Sequence, residues 1–171
     1  MELFGKINSK NVLLLLISVC GIGLISKKIP GTVASVFSTL FAILFIGHSK
    51  LLLVLLTLLF IAGMAMCHYF IVIKKFDTNK DPKYIVIDEV CGILFGAYLL
   101  NLFNCASILA LIANFAIFRF FDILKPFPIK NIENLMKQNS NTIAFGIMFD
   151  DILASVFATA LQISILKMLS L

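Results

Sequence analysis

The run LLLVLLTLLFIAGMAMCHYFIVI, Leu51–Ile73, is 23 residues long and carries no formal charge. As a helix rising about 1.5 Å per residue it reaches roughly 34 Å, enough to cross a hydrocarbon core of about 30 Å. The whole chain is built in the same manner. Of its 171 residues 61% are hydrophobic and 13% charged, with mean hydropathy +1.07. Soluble domains run roughly 45–50% apolar and about 25% charged. The reading is an all-α, multi-helical integral membrane protein, folded as one domain over residues 1–171.

Working outward from Leu51, the polar turn His48-Ser49-Lys50 separates it from a second apolar run, residues 33–47. Before that, residues 12–25 are apolar or small but reach only roughly 21 Å, which suits a short re-entrant or interfacial helix. Lys6 and Lys10 ahead of this run superficially suggest a signal peptide. Ser26-Lys27-Lys28 follows it in place of a small-residue cleavage site, so the segment is expected to be retained. After Ile73 comes KKFDTNKDPKYIVIDE (Lys74–Glu89), with four acids and four lysines. The 29 uncharged residues 90–118 are too many for one upright span. Asn101 and Asn104 divide them into two short helices, 90–100 and 105–118. A last apolar helix, 152–166, is entered through Asp150-Asp151.

If these runs pair as hairpins, the polar loops share one side. Lys27, Lys28, Lys74, Lys75, Lys80, Lys83, Arg119, Lys125, Lys130 and Lys137 then face Lys50 and Lys167 across the membrane. The positive-inside rule makes the richer side cytoplasmic. In such a chain the net charge of +5 speaks of orientation and anionic lipid. No basic stripe interleaved with aromatics appears, which argues against nucleic acid as a partner. Cys20, Cys67, Cys91 and Cys105 show no CxxC spacing and read as small reduced core residues, not as a zinc site or disulfide framework. His48 and His68 stand alone in apolar surroundings and read as structural.

The acids carry the chemistry. Asp88-Glu89, Asp122 and Asp150-Asp151 all fall where polar loops meet apolar helices on the same side. Acids before apolar helices also serve as caps favoured by the helix dipole. Converging on one point, five carboxylates would repel one another, and a hard divalent cation relieves that. Ligation by oxygen alone favours Mg²⁺ over zinc, and Mg²⁺ held in this way commonly also holds a phosphate. Beside Asp122 in FRFFDILKPFPI (Phe118–Ile129) stand the only arginine, Arg119, and Lys125, at i, i+3, i+6. The set reads either as an interfacial ion pair or as a metal carboxylate flanked by two phosphate-binding cations. Pro126 and Pro128 stop the helix behind it. Pro30-Gly31-Thr32-Val33 is a turn into a helix, a place where an anion can bind.

Four stretches together, PGTVAS (Pro30–Ser35), IVIDEVCGI (Ile85–Ile93), FRFFDILKPFPI and GIMFDD (Gly146–Asp151), resemble the phosphatidylglycerophosphatase A family in order and spacing, over about Gly21 to Phe157. The chain differs from the usual family pattern at Ala34, where PGT-x-GS has its second glycine. It differs again at Asp81-Pro82-Lys83-Tyr84, in place of Asp-His-Gly-Ser, and at Ile143-Ala144, in place of Gly-Gly. The resemblance implies an inner-membrane, Mg²⁺-dependent lipid phosphatase of glycerophospholipid synthesis. It would hydrolyse phosphatidylglycerophosphate to phosphatidylglycerol and inorganic phosphate. On that reading Asp88, Glu89, Asp122, Asp150 and Asp151 are catalytic and hold Mg²⁺ directly or through water. Asp150 or Asp151 acts as general base or nucleophile, Arg119 and Lys125 clamp phosphate, and Thr32 completes the pocket. The rival Mg²⁺-dependent membrane phosphotransferase, the CDP-alcohol type, needs D-G-x-x-A-R followed by G-x-x-x-D-x-x-x-D, which is absent. Phosphatases that work through histidine need more than one arginine and two histidines, and the aspartyl-nucleophile D-x-D is missing as well. A small cation channel or transporter would spread its acids across bilayer depth.

Overall fold

The computed structural model describes residues 9–26, 28–73, 75, 82–138 and 142–169, so Lys6, Lys27, Lys74, Lys80 and Asp81 lie outside the described residues. The described residues are helical, without a sheet. They form α1 (Ser9–Ile17), α2 (Ile22–Ile25), α3 (Pro30–Ile43), α4 (Ser49–Cys67) with a π-helical continuation His68–Ile73, α5 (Ile87–Leu102), α6 (Ile108–Leu124), α7 (Ile129–Gln138) and α8 (Ile143–Leu169).

Each boundary has a local cause. The run 12–25 is not one helix. It breaks where Val19 and Cys20 turn left-handed, φ 50° and 56°, and Cys20 N–H returns to Leu15 O. Pro30 starts α3 because an N-terminal helix position needs no amide hydrogen. Thr32 is therefore in a helix's first turn, not in a loop ahead of residue 33. α5 ends on a left-handed Asn104, φ 56°, with Cys105 N–H on Leu100 O and Asn104 N–H on Asn101 O, the paired bonds of a Schellman motif. Ser107 caps α6, accepting from Ala110 N–H at 3.1 Å. α6 stops at Leu124 because Pro126 bars the helical conformation to Lys125. Lys125 instead takes φ 42°, ψ 60°.

α8 differs most from the sequence reading. It opens at Ile143, not at 152, so Asp150 and Asp151 lie inside a 27-residue helix. They cannot be its caps. Among the described residues, Ser49–Ile73 and Ile143–Leu169 are the two helices long and apolar enough to cross a membrane. At 14, 16 and 17 residues, α3, α5 and α6 reach about 21–26 Å.

α5 lies at the centre, packed on α3, α4, α6 and α8. Close approach is possible because of glycine: a Cβ on Gly92 would meet Phe118 Cε2 at 2.8 Å. Outward, Leu58, Ile61 and Leu109 are 63%, 62% and 77% exposed, a degree of apolar exposure that suits lipid better than water. Between α6 and α8, Asn114 Nδ2 donates to Thr159 Oγ1 at 3.1 Å and to Gln162 Oε1 at 2.9 Å. Gln162 Nε2 donates onward to Ala110 O at 2.8 Å. Such bonds join helices where apolar packing gains little over lipid.

Candidate active site

One cavity of about 690 Å³ collects residues from four helices and their approaches. α3 supplies Thr32 and α5 supplies Asp88 and Glu89. The end of α6 supplies Arg119, Asp122 and, at its cap, Lys125, and α8 supplies Asp150 and Asp151. All eight residues singled out from sequence line this one space, although they come from positions 32 to 151 of the chain.

The carboxylates divide into two groups. Asp88, Glu89 and Asp151 each offer an oxygen, and these lie within 4.8 Å of one another. Asp88 and Asp151 are buried and Glu89 is half-buried. Among the described residues, neither Glu89 nor Asp151 forms an ion pair. Asp122 and Asp150, by contrast, are each held by a cation. Arg119 Nη1 donates to Asp122 Oδ2 at 2.6 Å and Nη2 to Thr32 Oγ1 at 3.3 Å, which ties α6 to the start of α3. Lys125 Nζ pairs with Asp150 Oδ2 at 2.5 Å and with Glu133 Oε1 at 2.8 Å, joining the end of α6 to α7 and α8. Burial disfavours the Lys125 ammonium, but Asp150 and then Glu133 more than offset it and hold its pKa above the ordinary lysine range.

Two buried atoms here have no hydrogen-bond partner, Glu89 Oε2 and Arg119 Nε. An acceptor and a donor left over in the same cavity are unusual, since buried polar groups are nearly always paired. Gly31 makes room for the first: a Cβ there would collide with Glu89 Oε1. Three convergent carboxylates, one of them with an oxygen left unpartnered, fit a hard divalent cation.

Sequence reasoning missed Glu133, Lys28 and Lys83. Glu133 sits on the amphipathic α7, and only its spacing behind the KPFP turn could have drawn notice. Lys28 and Lys83 line the cavity but counted in the sequence only as members of a basic side.

A family model described as phosphatidylglycerophosphatase A matches residues 15–166. Phosphatidylglycerophosphatase A of Haemophilus influenzae is 33% identical over 165 residues, covering 94% of this chain and 92% of that protein. A Bacteroides thetaiotaomicron protein named "Putative phosphatidylinositol-3-phosphatase" is 34% identical over 80 residues, 47% of this chain and 46% of that one. No solved structure matches the chain. The match runs over nearly the full length, and the four stretches that resemble the family contribute to a single cavity: the chain belongs to the phosphatidylglycerophosphatase A family and is a hydrolase.

Proposed function

We propose that this lipid-headgroup phosphatase acts on phosphatidylglycerophosphate, removing the terminal phosphate to give phosphatidylglycerol and inorganic phosphate with Mg²⁺ as cofactor. The observation that carries this reading is the meeting of unlike groups in one cavity: three convergent carboxylates, one of them with a buried oxygen left without a hydrogen-bond partner, beside an arginine held by Asp122 whose Nε is likewise unpartnered.

The residues divide the work by their existing partners. Asp122 and Thr32 fix two nitrogens of Arg119, so its guanidinium meets a phosphate already oriented, with Nε as the donor left over. Lys125, held charged by Asp150 and Glu133, keeps a positive charge over the same space and steadies Asp150. Mg²⁺ held by Asp88, Glu89 and Asp151, with Asp122 and Asp150 reaching it directly or through water, would polarise the phosphoryl group and neutralise charge on the attacking and leaving oxygens. A carboxylate of the Asp150–Asp151 pair takes a proton from water as the water oxygen bonds to phosphorus. The bond from phosphorus to the glycerol oxygen breaks, and that oxygen leaves as the alcohol on taking up the proton the carboxylate has received. The distribution of lysines argues for a multi-pass protein of the inner membrane with the cavity on the cytoplasmic side.

The test is phosphate release from phosphatidylglycerophosphate by the purified protein, with and without Mg²⁺, beside phosphatidic acid as competitor. Mg²⁺-dependent release that phosphatidic acid inhibits only weakly is expected. Absence of metal-dependent release from phosphatidylglycerophosphate would overturn the assignment.

A further inference from the structure

The cavity holds more cationic charge than a single phosphate group requires. Of the four cations among the described residues that line it, Arg119 and Lys125 are already bound to carboxylates. Lys28 and Lys83 are exposed, line the same cavity, and have no carboxylate partner among the described residues. Neither hangs on a loose strand. Lys83 follows the buried Pro82 in a turn closed by Ile85 N–H on Pro82 O at 3.0 Å, and Val86 N–H then reaches Ile17 O at 3.1 Å. Tyr84, the next residue, packs edge-on to Phe70 with ring centroids 6.2 Å apart. A Cβ on Gly23 would collide with the Tyr84 carbonyl, so α2 also presses on this turn. Lys28 immediately precedes Ile29 and Pro30 at the start of α3, where Ile29 N–H is bonded to Ser26 Oγ at 3.3 Å. Two exposed lysines that line one cavity both offer positive charge to an anion held within it.

The volume agrees. About 690 Å³ lies within the roughly 300–1,000 Å³ of sites that enclose a whole small ligand, so the space takes a glycerol bearing two phosphates rather than one phosphate alone. We infer that Lys28 and Lys83 form a second anion subsite, which binds the phosphodiester of the lipid headgroup while the terminal monoester lies among Arg119, Lys125 and the carboxylates. This rests on the substrate reading above. It makes the two lysines specificity-determining: they recognise a lipid with two phosphates over one with a single phosphate, and take no part in bond breaking.

The experiment is steady-state hydrolysis of phosphatidylglycerophosphate in neutral detergent micelles at 0.15 M salt, where long-range fields are screened beyond about 8 Å. The full chain is compared with K28Q/K83Q, using inorganic phosphate as competitive inhibitor. The double variant should raise KM about tenfold, as loss of two charge-assisted contacts at an open site implies. Its kcat and its inhibition constant for inorganic phosphate should not change, and K28R/K83R should restore KM. Neutral micelles exclude general attraction to an anionic bilayer as the cause. An unchanged KM, or an equal rise in KM and in the phosphate inhibition constant, would overturn the inference alone. Wild-type protein inert toward phosphatidylglycerophosphate would overturn the substrate reading and this inference with it.

Discussion

Helices α6 and α8 carry polar side chains at two levels, and the chain treats them in opposite ways. At one level Asn114, Thr159 and Gln162 bond to one another and to Ala110 O. Eight residues on along α6, and eight back along α8, stand Asp122 and Asp151. That symmetry means the helices run in opposite directions, with the two levels about 12 Å apart. The first level is made of neutral amides and a hydroxyl, and the bonds among them are complete enough to hold two helices together in lipid. The second is charged, crowded with like charge, and leaves Glu89 Oε2 and Arg119 Nε without partners. A buried polar group without a partner costs on the order of 1–3 kcal/mol, more if charged. A fold gains nothing from such groups unless something outside the chain completes them. The completed network joins two helices, and the unfinished one is the candidate site.

That contrast can be broken experimentally, and the largest effect is expected at the unfinished level. Asp122→Asn loosens the Arg119 clamp and removes a carboxylate from the cluster. We expect kcat to fall by about a hundred- to a thousandfold, the usual scale for a preorganised electrostatic group, in protein that expresses and extracts normally. Gly31→Ala is a subtler test, since its new Cβ would displace the Glu89 carboxylate. Phosphate release should drop about tenfold while thermal stability moves by no more than about 1 kcal/mol, well within the usual range for one substitution. Asn114→Ala should behave in the opposite sense. Interhelical hydrogen bonds in membranes average about 0.6 kcal/mol and reach about 1.7, so denaturation in detergent should show a loss of about 1–2 kcal/mol. Activity per folded molecule should stay within a few-fold. Activity lost at unchanged stability in Asn114→Ala would erase the distinction between the two levels.

Much of the site was legible in the sequence because the chemistry is written in residue types that an apolar chain otherwise avoids. Asp88, Glu89, Arg119, Asp122, Lys125, Asp150 and Asp151 stand out against long uncharged runs, and every one lines the cavity. The helix limits were harder. Two adjacent acids look like the polar entrance to a helix, yet α8 continues nine residues ahead of 152 because Lys125 holds Asp150 and the cavity accommodates Asp151. Local propensity cannot register a partner supplied from another helix. The break at Val19 and Cys20 was hidden for a related reason: a β-branched residue rarely turns left-handed, and only the bond from Cys20 to Leu15 explains it. Lys28 and Lys83 were invisible as individuals. Nothing in a count of lysines on one side says which two the fold brings to the lining of one cavity.

The catalytic role of the carboxylate triad is tested most directly by phosphate release from Asp151→Asn, with melting measured on the same preparation. Asn nearly preserves shape and removes one charge from the triad of Asp88, Glu89 and Asp151. Mg²⁺-dependent release from phosphatidylglycerophosphate should be abolished while the melting temperature holds or rises, because a buried like-charge repulsion has been relieved. Release within a few-fold of wild type would contradict that role.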